Sequence, residues 1–207
     1  GPEALTDEEA LRLSYEWELW ARPAQLPPLG DWRVWILTSG RSSGKTLSGS
    51  QWVRKRAWEG YGPITIVGET AADVRITMMN GVTGILSVSP PWFMPAYEPT
   101  KRQVTWPNGV VGYTYSLQDP DQLRGQNSAT IWIDELFKGQ YPEEAWDNAN
   151  MGLRHSDDPK ALITSTPRPT HLMRKMLKNK NFRIITETIW DNADNLPQSF
   201  LDDMKDQ

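Results

Sequence analysis

Residues 34–38 form a short apolar run of strand formers that ends in a glycine-bearing loop and passes directly into a helix-prone segment from about 45 to 59. A buried strand followed at once by a helix favours a crossover to a parallel neighbour, so this junction restricts the fold more than any other part of the chain. The alternation continues. Residues 64–67 read as a strand, and Thr70 with Asp73 forms a capping box for a helix to about 80. Residues 129–133 and 161–164 are two more apolar runs. A helix opens at Pro142 and extends to about 153, another is capped by Thr170 and extends to about 179, and a last strand covers 182–188. Strands alternating with helices predict an α/β domain with a mainly parallel central sheet.

Other segments decorate that plan. Residues 6–21 carry Leu11, Tyr15 and Leu19 at helical spacing behind a Thr6/Glu9 capping box, which predicts one N-terminal helix. Pro23, Pro27, Pro28 and Gly30 then enforce a loop, and the proline- and glycine-rich stretch 81–100 reads as irregular. Asn108-Gly109 between residues 102–106 and 110–116 predicts a β-hairpin, an antiparallel insertion or edge. A short helix is expected near 199–205. Gly1-Pro2 reads as a protease-cleavage scar and is left out of the fold.

Composition removes several classes of function. The absence of cysteine excludes disulfides and thiolate metal sites, and it fits a reducing compartment. His155 and His171 are the only histidines and lack metal-ligand spacing. No apolar run reaches the roughly 18 residues of a membrane span. A net charge of -4 argues against a broad nucleic-acid footprint but leaves room for a local basic contact. Most of the eleven tryptophans are expected to be packing residues.

The chemistry concentrates at three strand ends. "TSGRSSGKT" approaches the phosphate-loop pattern G-x-x-x-x-G-K-[ST], although Ser39 occupies the position of the first glycine and Gly40 comes one place late. Loop and helix N–H groups would hold an anion, with Gly40 and Gly44 allowing close backbone approach. Lys45 would reach the β- and γ-phosphates, and the Thr46 hydroxyl would ligate Mg²⁺. A solvated lysine beside a Gly/Ser turn is the alternative. "ATIWIDEL" supplies a strand ending in Asp134, a candidate Mg²⁺ ligand, and Glu135, a candidate base for the attacking water. An acidic strand exit without function is the alternative there. "ALITSTPRP" ends a third strand in Thr164, Ser165 and Thr166, which suit either γ-phosphate sensing or a plain turn before Pro167.

Together these segments resemble the ATPase domain of the terminase large subunit, the genome-packaging motor of tailed double-stranded DNA bacteriophages. The resemblance spans "WARPAQLPPLGDWRVWILTSGRSSGKT", "VGETAADVR", "YEPTKRQVTWPNG", "DPDQLRG", "IWIDEL", "AWDNANMGLR" and "TSTPRP". It also accounts for Ser39, because terminase loops look like G-R-x-x-G-K-[ST], here Gly40-Arg41-Ser42-Ser43-Gly44-Lys45-Thr46. The resemblance implies a P-loop NTPase three-layer sandwich of the additional-strand, catalytic-glutamate type, with ATP and Mg²⁺ as cofactors. It implies that Lys45 and Thr46 contact phosphate and metal, that Asp134 ligates the metal and Glu135 is catalytic, and that 164–166 couple γ-phosphate state to motion. Gln25 is similar to the adenine-reading glutamine of these motors, and an exposed loop glutamine is the other reading. Arg41 would touch the γ-phosphate in cis or hold nearby carboxylates. Arg124 would serve as an arginine finger on the next subunit, or else form a surface salt bridge.

The resemblance further implies double-stranded DNA, a portal protein and the small terminase subunit as partners. It implies a pentameric ring when assembled, with a monomer possible in isolation, no membrane, and work in the host cytoplasm and at the portal vertex. The expected division is an ATPase domain over 3–180 and the start of a lid or linker over 181–207, without the C-terminal nuclease and hence without DNA cleavage. A helicase-like translocase and a non-catalytic nucleotide-dependent module are the competing functions.

Overall fold

The computed structural model describes residues 5–40, 42–188, 191–193 and 197–198. Its strands are β1 Val34–Ser39, β2 Ile64–Gly68, β3 Ala96–Glu98, β4 Gln103–Thr105, β5 Val111–Ser116, β6 Thr130–Asp134, β7 Lys160–Ser165 and β8 Phe182–Glu187. They form one eight-stranded sheet in the order β3-β4-β5-β2-β6-β7-β1-β8. Pairing is parallel from β5 through β8 and antiparallel only at the β3-β4-β5 edge. The α-helices are α1 Asp7–Ser14, α2 Trp17–Trp20, α3 Lys45–Trp58, α4 Ala71–Asp73, α5 Ile85–Val88, α6 Pro142–Gly152 and α7 His171–Leu177.

The apolar runs of the central strands are continuous because both faces of the sheet are covered. Side chains alternate across a strand, so Trp35 and Leu37 of β1 enter one core with Trp52 and Val53 of α3, while Val34 and Ile36 enter the other with Trp146 of α6 and Met176 of α7. The result is the three-layer P-loop NTPase-like α/β sandwich expected. Each fully buried Leu, Ile or Val contributes about 1.5–3 kcal/mol of burial. Six tryptophans (32, 35, 52, 106, 132 and 146) are buried in these layers.

Several elements depart from the sequence reading. The single N-terminal helix breaks at Tyr15, whose N–H closes α1 on Arg12 and Leu13, and α2 follows after Glu16. No residue of α1 is buried, so no core face exists to carry that helix onward. The stretch 81–100 contains α5, a 3₁₀ turn and β3; their three or four residues each are too short to show a period. The Asn-Gly hairpin forms at the antiparallel edge, as expected. β8 pairs with β1 along its full length, so the sheet continues past the boundary expected at residue 180. The helix expected near 199–205 lies outside the described residues.

Register brings the reactive strand ends together. Thr38 pairs with both Ser165 and Thr186, and Asp134 pairs with Thr164. β7 is thus inserted between the loop-bearing strand β1 and the acidic strand β6, the additional-strand order.

Candidate active site

The loop after β1 delivers the chain into α3 with Gly44 as its N-cap at φ 86°, and Ser42 is also left-handed at φ 60°. A Cβ on Gly44 would stand 2.6 Å from Gln25 Nε2, so glycine is required here by both conformation and space. Gly40 has open space around it, and the left-handed turns fall on Ser42 and Gly44 instead. Ser39, the departure from the general pattern, is fully buried; its hydroxyl hydrogen-bonds that of Ser43, which in turn donates to the Gly40 carbonyl at 3.0 Å. A hydroxyl network thus braces the loop.

The first N–H groups of α3 have no partner within the helix and carry the positive end of its dipole. Beside them the Lys45 ammonium donates to the carbonyls of Ser39 (2.9 Å) and Gly40 (2.7 Å). Burial pulls Lys45 below the ordinary lysine range, while Glu135 and Asp134 favour its charge. Thr46, the next residue of the helix, lines the same cleft.

Opposite the loop, Asp134 Oδ1 accepts from the Thr164 hydroxyl at 2.6 Å. Burial pushes the Asp134 carboxyl up to about 6; repulsion from Glu135 adds to this, while Thr164 and Lys45 oppose it. Glu135 stands in the left-handed region at φ 56°, immediately past the end of β6. Its carboxylate accepts from the Thr166 N–H at 3.0 Å and hydroxyl at 3.2 Å, and pairs with Lys138 at 3.1 Å. Burial raises the Glu135 carboxyl, but the Thr166 N–H and Lys138 outweigh it, so the group sits below the ordinary range and is ionised at neutral pH. One carboxyl is therefore strained toward its neutral form and its neighbour is fixed in the charged one.

These groups fit a hard divalent cation such as Mg²⁺. The donors are oxygen, Thr46 hydroxyl and Asp134 carboxylate, and a cation would relieve the burial and repulsion imposed on Asp134. No cluster of three or more acidic, histidine or cysteine ligands exists among the described residues.

The cleft encloses about 680 Å³ and is lined by Trp17, Trp20, Arg22, Gln25, the 42–47 loop and helix start, Thr83, Glu135 and Asn192. Gln25 is only 4% exposed, so it is no free loop residue; its Oε1 accepts from the Arg22 N–H at 3.1 Å and its amide packs on Gly44. Arg22 was not anticipated from sequence. Its guanidinium donates to the Ser43 carbonyl (2.6 Å), to Asn192 Oδ1 (2.5 Å) and to Glu187 of β8 (3.1 Å). It thereby ties the loop to the sheet edge. Arg22 lies three residues before Gln25 in the proline-rich loop, and nothing in that spacing foretold its long-range partners. The Trp17 and Trp20 rings at the mouth offer flat apolar surface of the kind a base stacks on.

Of the 164–166 trio, Thr164 is fully buried and committed to Asp134, whereas Ser165 and Thr166 address Glu135. All three meet the acidic pair. Arg124 lies away from the cleft, 65% exposed, in ion pairs with Asp121 (3.0 Å) and Glu144 (3.7 Å). Arg41 lies outside the described residues.

Comparisons with known proteins agree with this architecture. The family model described as "Terminase large subunit, T4likevirus-type, N-terminal" matches residues 36–206. The large terminase of a thermophilic bacteriophage, in complex with ADP, is similar in fold, with TM-score 0.66 and 18% identity over 91% of this chain and 47% of that one. The same terminase with ATP-γ-S gives TM-score 0.62 and 16% identity over 94% and 48%. The large terminase ATPase domain of Thermus phage P74-26 gives TM-score 0.63 and 16% identity over 87% of this chain and 84% of that one. The chain thus spans about half of the nucleotide-bound terminase and most of the isolated Thermus phage domain. Comparison with curated proteins gives no match.

Proposed function

The chain belongs to the terminase large-subunit family, as its N-terminal ATPase domain, and on that premise we propose that it hydrolyses ATP with Mg²⁺ to drive double-stranded DNA into a procapsid. The observation that carries the proposal is a glutamate, Glu135, held by Thr166 and Lys138 at the cleft that Lys45 and Thr46 line. A module that only binds nucleotide has no use for a carboxylate held ready to take a proton.

In this reading the loop N–H groups and Lys45 hold the β- and γ-phosphates, and Lys45 exchanges its loop carbonyls for phosphate oxygens. Thr46 and Asp134 would hold Mg²⁺, which when bound would offset the charge of the phosphates. Glu135 orients a water whose oxygen bonds to the γ-phosphorus as the bond to the leaving ADP oxygen breaks, and the water proton passes to the carboxylate. Gln25 and the Trp17/Trp20 faces take the adenine. Thr166, bonded to Glu135, links the state of the γ-phosphate to β7 and the segments beyond it. The ADP and ATP-γ-S complexes of the thermophilic-phage terminase support nucleotide as the ligand.

Assembly belongs to the same proposal. Arg124, exposed and away from its own cleft, acts on the neighbouring subunit of a ring docked on the portal, and the small terminase subunit assists. Beyond β8 the chain leads toward a lid or linker, and work takes place in the host cytoplasm and at the portal vertex. The test at the site is Glu135→Gln, with phosphate release and nucleotide binding measured on the same protein. Release should fall at least about 100-fold with binding retained. Unchanged release would remove Glu135 from the reaction.

A further inference from the structure

We propose that Trp132 is a positioning residue for the cation site, acting through Thr164 on Asp134. It deepens the reading of Asp134 as a cation ligand and depends on that reading. Trp132 and Asp134 are two residues apart on β6 and so share a sheet face; Thr164, directly opposite Asp134 on β7, is the diagonal neighbour of Trp132. The Trp132 indole N–H donates to Thr164 Oγ1 at 2.9 Å, and Thr164 Oγ1 lies 2.6 Å from Asp134 Oδ1. Trp132 and Thr164 are both fully buried, so no water competes for these bonds.

The chemistry of the three groups gives the chain one direction. An indole N–H can only donate, and a threonine hydroxyl has a single proton. With Trp132 occupying an acceptor position, the Thr164 proton is aimed at Asp134 Oδ1, in a charge-assisted bond when that carboxyl is ionised. One oxygen of Asp134 is thereby pinned and the other is left for a cation or its water shell. Partners behind a ligand commonly set its orientation and affinity in this way.

The packing around Trp132 has been arranged to permit this bond. A Cβ on Gly49 of α3 would fall 2.1 Å from Trp132 Cε2 and 2.5 Å from Nε1, an impossible approach. Gly49 sits in the helix interior, where glycine is less favourable than alanine. Its absent side chain lets the indole lie against the helix backbone with its N–H directed at Thr164.

The test uses Mn²⁺ as the probe, titrated by electron paramagnetic resonance into the protein with ADP bound, alongside ADP affinity in EDTA. Trp132→Phe keeps a buried ring and deletes the N–H. Mn²⁺ affinity is expected to fall about 10-fold with metal-free ADP affinity unchanged. Thr164→Val should reproduce the loss, Thr164→Ser should retain affinity, and Trp132→Phe combined with Thr164→Val should be no worse than Thr164→Val alone. Wild-type Mn²⁺ affinity in Trp132→Phe, or losses that add in the double variant, would overturn the proposal. Should Trp132→Phe fail to fold, equal Mn²⁺ affinities in Thr164→Val and Thr164→Ser would overturn it instead. Asp134→Asn separates the two levels: if it too binds Mn²⁺ normally, the cation site itself is misassigned, whereas a loss there with Trp132→Phe unaffected removes only the role of Trp132.

Discussion

Glu135 and Asp134 adjoin in the chain yet are set in opposite conditions. Glu135 accepts a left-handed backbone, which costs a non-glycine residue on the order of 1–3 kcal/mol, and in return meets donors from Ser165, Thr166 and Lys138. Asp134 is buried against its neighbour's charge with the Thr164 hydroxyl as its donor. A site that holds a carboxylate against desolvation and repulsion trades stability for function. Asp134→Asn keeps the acceptor for Thr164 and removes the charge, so without Mg²⁺ the melting temperature at about pH 7.5 should rise by a few degrees while ATP turnover is lost. A lower melting temperature would contradict the description of Asp134 as a strained group. Lys45, Thr46, Asp134 and Glu135 were legible in the sequence because each belongs to a local pattern fixed to a strand end. Arg22, Lys138, Glu187 and Trp132 were not, because their partners are set by strand register and by loops distant in sequence.

Among the elements, α3 does most to join the site to the scaffold. Its N-terminus faces the cleft, its middle receives Trp132 at Gly49, and its last turn carries Arg56, which is buried. The Arg56 guanidinium donates to Thr130 Oγ1 (3.0 Å), Asp158 Oδ2 (2.9 Å) and the Asp158 carbonyl (2.6 Å), and its face lies 3.7 Å from the centre of the Tyr61 ring. These bonds fasten the end of α3 to the starts of β6 and β7. Burial raises the Asp158 carboxyl, but Lys160 and Arg56 outweigh it and leave it below the ordinary range. A depressed carboxyl stabilises the fold above its unfolded pKa of about 4, and that contribution is lost as pH falls through the folded value. The Asp158 side chain is 38% exposed, so solvent screens the pair, and Asp158→Asn should destabilise the domain at about pH 7 by only about 0.5–1 kcal/mol, with the difference from wild type shrinking toward about pH 3 in denaturant melts. A difference that stays constant with pH would remove the ion pair from the account. The element order was legible from the alternation of apolar runs and caps. The break at Tyr15 and the short β3 were not, since the first follows from the absence of a core face and the second has too few residues to display a period.

The whole molecule draws its far edge into the site. β8 closes the sheet beside β1, and Glu187 at its end, 3% exposed, holds Arg22 over the phosphate loop. The chain leaving β8 therefore starts within a few residues of the loop carbonyl that Arg22 holds. Arg124 is absent from the cleft lining, and its ion pairs with Asp121 and Glu144 are solvent-exposed and so weak. Arg124→Ala should leave the slow turnover of the isolated domain unchanged and remove a factor of about 10³ or more from the assembled rate. Full assembled activity in that variant would assign the finger elsewhere. The central claim is that this cleft powers packaging, and the direct measurement is ATP turnover by the full-length protein with and without portal-bearing procapsids and duplex DNA. Turnover should rise strongly when both are present; a rate indifferent to both would contradict the account.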